Sequence, residues 1–364
     1  MESPLSYFSA LPAPRIDRCK EHLMEDIIFI TIASVICGAE TWNEIESYGE
    51  SKEDWLRSYL YLPNGIPSHD TFNRFFSALD PLAFEECFLS WIRAVCCLTE
   101  GEVVSIDGKS LCGSRDSNGK RAIHLVSAWA SVNQLSLGQV KVDEKSNEIT
   151  AIPKLLEVLA LKGCIVTIDA MGCQRDIAEN IISKEADYIL AVKGNQGNFE
   201  ENINDTVRFT QPAQDWKEDD FGHGRIETRQ CFLYKDLSFI EHIQDWKHLS
   251  AVVKIESTRY IKSCAKEEKQ TRFYITSSNS SAEVIGKAIR SHWGIENKLH
   301  WQLDVSFSED QSRKREGYAA QNFSLINRIA LNLTKHEQSK KRSIKGKRLT
   351  AGWDNEYLLK ILKI

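Results

Sequence analysis

The chain has 364 residues, of which 42% are hydrophobic, 27% charged and 9% aromatic. That length and apolar content indicate two or three domains with buried cores, and exclude a disordered, collagen-like, coiled-coil or low-complexity chain. The formal charge of −5, taken whole, speaks against a nucleic-acid partner, but it conceals an asymmetry. From Gln311 onward there are 13 Lys/Arg against 4 Asp/Glu, which leaves 33 against 47 in the remainder. A basic end on an acidic body can serve a phosphate backbone, and the acidic surplus can include carboxylates gathered for a metal. A solvated basic tail fits the same counts.

Ten cysteines are scattered without a C-x-x-C pair. With no secretory leader at the N-terminus, they read as free thiols in a reducing, cytoplasmic setting. No Cys/His spacing suits zinc. The longest apolar run, Ile27 to Ala39, is broken by Thr31, Ser34 and Gly38. It falls short of the roughly 20 residues a bilayer needs, so a buried helix is predicted and no membrane partner.

In chain order, residues 1–99 read as a helical N-terminal domain. Leu23, Ile27 and Ile30 make one stripe, and Ile28, Ile32, Val35 and Ala39 another, so this helix is covered on most sides. Asn64-Gly65-Ile66-Pro67 forms a turn, after which Ser68 can cap a helix carrying His69, Thr71 and Arg74 on its early turns. A polar-faced helix after a short turn suits DNA reading, with Arg74 as a contact; simple packing is the alternative. After Thr99 the pattern turns to strands at 102–107, 122–131 and 138–142. A helix over 152–161 follows, with Pro153 in its first turn, then a strand at 164–169, a helix over 175–185 and a strand at 188–192. This order indicates a mixed sheet with helices packed on it. About 198–277 reads as a β-rich insertion with strands at 225–234, 249–261 and 272–276. A helix runs from Ser281 through Glu296 to about Asp304. A second domain thus spans 100–334, and 335–364 is a basic C-terminal tail that reads as loosely ordered.

Two apolar runs end in the same device, Ser105-Ile106-Asp107-Gly108-Lys109 and Thr167-Ile168-Asp169-Ala170-Met171. Functional groups collect beyond the carboxyl ends of strands in such sheets. If the strands are neighbours, the two carboxylates repel, and a divalent cation removes the penalty. Oxygen ligands without His or Cys favour Mg²⁺ or Mn²⁺. For a third carboxylate the best candidate is Glu296. Ile285, Ile289, His292, Glu296 and Leu299 share one helical stripe, so Glu296 is expected to face the protein body. Strand-end acids and an ordinary amphipathic helix are the bland readings of the same residues.

These residues, with Ile66-Pro-Ser-His-Asp-Thr-Phe72, His223-Gly-Arg-Ile-Glu-Thr-Arg229, His292-Trp-Gly-Ile-Glu-Asn297, His300-Trp-Gln-Leu-Asp-Val305 and Glu309-Asp310, resemble the DDE-type insertion-sequence transposases, specifically the H-repeat-associated family. The resemblance spans nearly the whole chain. It implies an α/β fold with a ribonuclease H-like mixed-sheet catalytic core, a β-rich insertion and an all-helical N-terminal domain. It also implies that Asp107, Asp169 and Glu296 are the catalytic, metal-ligating acids. The wider superfamily often carries Tyr, Arg and Lys at fixed offsets from the third acid, where this chain has Ile289, His292 and Leu303. Arg290 and His292 look like this family's own pattern and are further candidates for DNA contact.

The implied chemistry is metal-dependent cleavage and strand transfer of double-stranded DNA, at element ends and target, with two Mg²⁺ or Mn²⁺ ions and a homodimer to pair the ends. For DNA binding the candidates are Lys109, Arg225 and His223. Trp293 and Trp301 could stack on an unpaired base, although their spacing equally fits a core. The cluster Arg313, Lys314 and Arg315 could meet phosphates. An inactive or repurposed DNA-binding protein and a ribonuclease H-like nuclease are the alternatives.

Overall fold

The computed structural model describes residues 3–12, 14, 21–115, 122–143, 146–194, 197–222, 225–261, 263 and 266–364. In the N-terminal part, α1 (Met24–Ile36) is buried at every position from Asp26 to Ile36, as its two apolar stripes require. Helix α2 (Trp42–Ser51) begins on a capping box, in which Thr41 Oγ1 accepts from Glu44 N and the Glu44 carboxylate accepts from Thr41 N. A one-turn helix, α3 (Glu53–Leu56), follows. The hydroxyl of Ser68 caps α4 (His69–Ala78), whose Phe72, Phe75 and Phe76 turn inward. Asp80 caps α5 (Pro81–Val95), with proline at the first position.

The expected change to strands occurs next. β1 (Val103–Leu111), β2 (Ile123–Ala130) and β3 (Leu135–Lys141) form an antiparallel meander. Helix α6 (Glu148–Val158), β4 (Ile165–Ile168), α7 (Arg175–Ser183) and β5 (Asp187–Val192) follow in alternation, with β4 parallel to both β1 and β5. Because Asn147 caps it, α6 starts four residues before the sequence pattern suggests. Pro153 is therefore inside the helix, where it removes a backbone donor, and not in the first turn.

The insertion contains α8 (Asn198–Phe209), β6 (Gln214–Gly222), β7 (Arg225–Tyr234), β8 (Ala251–Ile261) and β9 (Lys266–Thr276). Of these, α8 and β6 are additions to the sequence reading. β9 pairs antiparallel with β5, Leu190 opposite Ile275, so the insertion continues the sheet. Among the described residues the sheet has nine strands in the order β3-β2-β1-β4-β5-β9-β8-β7-β6. Its first five, with an antiparallel meander beside parallel strands, have the ribonuclease H-like arrangement.

The last part comprises α9 (Ala282–Gly294), a π-helical turn (Ile295–His300), α10 (Trp301–Phe307), α11 (Ala319–His336), α12 (Ile344–Trp353) and α13 (Asn355–Leu362). One continuous apolar core joins the N-terminal helices, one face of the sheet, α11 and α13. A smaller core lies on the other face, where Ile285, Ala288 and Ile289 of α9 pack on Ile165, Ile189, Cys231, Val253 and Ile255. The C-terminal segment departs from the loosely ordered tail its charge suggests. Arg348 donates to Val35 O, Lys347 donates to Thr334 O, and the Tyr357 hydroxyl donates to Glu337 Oε2. Lys347 and Arg348 are both buried, so part of the basic surplus holds α12 against α1 and α11.

Candidate active site

The first two acids are placed by strand pairing. In the parallel register of β1 and β4, Ile106 stands opposite Ile168, so Asp107 and Asp169 are the next residues on adjacent strands. The strands differ there. β4 stops at Ile168, and Asp169 caps a one-turn helix, its carboxylate accepting from Met171 N at 3.0 Å. β1 runs on to Leu111, paired with β2, so Asp107 lies mid-strand opposite Ser127 and does not end its strand as the apolar run suggested.

Glu296 sits in the π-helical turn and is exposed, in contrast to the inward orientation expected from a regular 3.6-residue stripe. The widened turn buries Ile295 and Leu299, while Glu296 falls at the edge of the stripe. Its charge still reaches the site. The Asp107 carboxyl is pushed up to about 7, first by burial and then by Glu296, Asp169 and Glu148, with only the Gly108 N–H among the leading influences favouring the anion. Among the described residues, no three His, Cys, Asp or Glu side chains are gathered closely enough to hold one cation.

Three neighbours of Asp107 were not anticipated. His300 Nδ1 lies 3.5 Å from Asp107 Oδ2, and burial holds this imidazole down to about 3, neutral, with Nε2 lacking a hydrogen-bond partner. Glu148, at the start of α6, lies 2.6 Å from His124 Nε2, whose Nδ1 is 2.9 Å from Ser110 Oγ. A Cβ on Gly108 would collide with both the Glu148 carboxylate and the His124 ring, so the small residue after Asp107 is what admits this pair. That glycine is the one sequence signal that could have pointed to them.

The suggested DNA contacts divide sharply. Lys109 is buried and ion-paired with Asp304 and Glu309, so it is not free to meet a phosphate. Lys314 is likewise buried, donating to Glu40 O and lying 3.5 Å from the Phe323 ring centroid. Burial pushes its ammonium down to about 7. His292 is held inside, its Nδ1 2.9 Å from Thr167 Oγ1, and burial lowers it to about 4. All three turn to inward partners, which offset part of the cost of desolvation. Arg74, Arg313 and Arg315 are exposed, although Arg315 donates to Gly113 O and Arg74 to Asp70 O. Trp293 and Trp301 are 47% and 54% exposed, so neither is a core aromatic. His223 lies outside the described residues.

Arg225 and Arg290 belong to a feature that the sequence did not reveal as a unit. A groove of about 1150 Å³ lies along one face of β7, β8 and β9 beside α9. It is lined by Arg225, Arg229, Arg259, Arg272, Arg290, Lys269, Lys287 and Lys298 against Glu218, Glu227 and Glu268, with Trp129, Trp216 and Trp293 between them. The register explains the clustering, since Glu227 stands opposite Arg259, which stands opposite Glu268. Three arginines converge on the buried Glu227, and Arg272 lies over Trp293, 5.1 Å from its centroid. Its lining includes Gly294, Asn297 and Lys298, near Glu296 in the chain.

Residues 5–92 match the DDE_Tnp_1-associated family, and residues 99–333 match the transposase DDE domain. "Putative transposase YncI" of Escherichia coli O157:H7 is 42% identical, covering 100% of this chain and 95% of that protein. "H repeat-associated putative transposase YhhI" of Escherichia coli strain K12 is also 42% identical, covering 98% of this chain and 97% of its own length. A chain from the piggyBac transposase synaptic complex with hairpin DNA aligns at 13% identity with a TM-score of 0.46, covering all of this chain and 81% of its own. The domain match over most of the sheet and the full-length relatives place this chain in the DDE transposase family.

Proposed function

We propose that the protein is a metal-dependent DNA transposase that cleaves at the ends of an insertion element and joins them to target DNA, with Asp107, Asp169 and Glu296 as its acids. The observation that carries this reading is the adjacency of Asp107 and Asp169 on parallel strands, with the charge of Glu296 reaching Asp107. The donor set suits a hard divalent cation such as Mg²⁺ or Mn²⁺. It offers carboxylate oxygens, and burial first, with the neighbouring acids adding to it, pushes the Asp107 carboxyl up to about 7. Asp107 and Asp169 would hold the cation, two in the full site, and Glu296 would complete the set from its exposed turn. When bound, such ions polarise phosphate oxygens and make a water or 3′-hydroxyl nucleophilic.

The chain's own residues supply the rest. Asp169 is fixed by its bond from Met171 N, and the parallel pairing of β1 with β4, Ile106 opposite Ile168, holds the two backbones side by side just before the acids. His300 is neutral, so it neither neutralises Asp107 nor competes with a cation. Arginines of the groove would give phosphates a track that takes in Asn297 and Lys298, the residues after Glu296, and the exposed Trp293 offers an aromatic face within it. Pairing of two element ends calls for a homodimer on DNA, within a bacterial cytoplasm.

The test is metal-dependent nicking of duplex DNA carrying the sequences that flank this coding region. Nicking at the element boundary with Mg²⁺ and none with EDTA supports the reading. Binding without cleavage in Mg²⁺ or Mn²⁺ favours a repurposed DNA-binding protein, and cleavage confined to RNA–DNA hybrids favours a nuclease. For the groove, Arg272→Ala and Arg259→Ala are each expected to reduce the slope of log affinity against log salt by about 1. An unchanged slope for both would remove the groove from the DNA path. No described helix is long and apolar enough to cross a membrane.

A further inference from the structure

Two sequence phrases have no part in the acid set, His300-Trp-Gln-Leu-Asp-Val305 and Glu309-Asp310, nor does the lysine that closes Ser105–Lys109. The structure joins them. Lys109 lies on β1 two residues past Asp107, hence on the same side of the strand, and is 8% exposed. Its ammonium is ion-paired with Asp304 of α10 and, at 3.0 Å, with Glu309. Glu309 in turn accepts from Ser324 Oγ at 2.8 Å and from Arg328 at 3.2 Å. Arg328, fully buried in α11, donates to Ser127 Oγ at 3.1 Å. Ser127 is the β2 residue directly opposite Asp107. The circuit therefore leaves β1 two residues beyond the first acid and returns to the residue facing it.

The other end of the circuit bears on the third acid. Asp304 lies eight residues past Glu296 in one continuous helical run, with the π turn between them. Burying this many charges is costly, and well-packed apolar side chains often serve stability as well. What apolar packing cannot supply is direction. A lysine donating to two carboxylates on successive elements fixes both the rotation and the axial position of that run. Resting on the transposase reading above, we propose that Lys109 is a positioning residue, whose ion pairs with Asp304 and Glu309 lock the turn carrying Glu296 onto the strand carrying Asp107.

The test uses the full chain and reads amide hydrogen exchange over residues 295–304, Mn²⁺ affinity by electron paramagnetic resonance, and thermal melting. The deciding variant is Asp304→Asn, because Asp304 is 31% exposed and its loss leaves the Lys109–Glu309 pair and the fold in place. It should melt cooperatively near the wild type, exchange at least about tenfold faster over 295–304 only, and bind Mn²⁺ about tenfold more weakly. Lys109→Met should show the same local pattern, larger, and Lys109→Arg should restore most of it. Wild-type exchange and affinity in Asp304→Asn would overturn the proposal, as would exchange raised evenly along the chain. Asp107→Asn separates the two ideas. If it binds Mn²⁺ like the wild type, the acid-site reading fails, while the exchange data on Asp304→Asn still decide the lock.

Discussion

Asp107→Asn is expected to lower metal-dependent nicking by about a thousandfold or more, the scale on which loss of one group acting in the transition state is felt. The replacement is nearly isosteric. β1 keeps its pairing with β2 around Ser127, and the neighbouring Gly108 still admits the Glu148–His124 pair. What disappears is the one carboxylate that touches both neighbouring acids electrostatically and lies 3.5 Å from His300. DNA affinity should not fall, because the groove cations lie elsewhere and a negative charge near the phosphates has been removed. A gel-based nicking assay run beside a binding isotherm measures both. Residual cleavage within tenfold of the wild type would show that Asp107 does not belong to the reacting centre. Loss of binding in parallel would show that the substitution damages the fold instead.

Much of the core was legible in the sequence because its signals are local. An apolar run before an Asp reads as a strand, and Ser105-Ile106 and Thr167-Ile168 do pair side by side, although only the second strand ends at its Asp. Helix α4 could be placed because Ser68 is a cap and the phenylalanines recur at helical spacing. The failures are non-local. Lys109 reads as a solvent-facing lysine until residues nearly 200 positions away close over it. β6 has the composition of an exposed loop because it is the edge strand, where charge discourages further pairing. The stripe through Glu296 assumed an uninterrupted α-helix, and the π turn broke that period at the residue that mattered. The C-terminal cations were counted as a tail because charge alone does not say whether a lysine finds backbone carbonyls to bind, as Lys347 does.

The burial of Asp107 among other acids should also be visible in stability alone. Asp107 titrates near 3.8 when unfolded and at about 7 in the fold. Below about pH 4 both forms hold the proton and the site contributes nothing. Between there and pH 7 the unfolded chain releases the proton while the folded chain retains it, so stability falls as pH rises. Above pH 7 the penalty is complete, with a ceiling of about 4 kcal/mol. His292 and His300 act in the opposite sense. Both are held neutral to low pH, so the unfolded chain takes up protons that the fold refuses, and their contribution improves as pH rises toward 6.5. A single pH–stability curve would therefore mix the two effects, and the informative quantity is the difference between wild type and Asp107→Asn. In EDTA, denaturant titrations should show the variant gaining on the wild type steadily from pH 4 to pH 7 and levelling off above. Mg²⁺ should close that gap by stabilising the wild type, more at pH 8 than at pH 5, where proton and cation compete for the same oxygens. Parallel curves for the two proteins in EDTA would mean that neither burial nor its neighbours disfavour the Asp107 anion, and the electrostatic case for a cation at this position would fall with it.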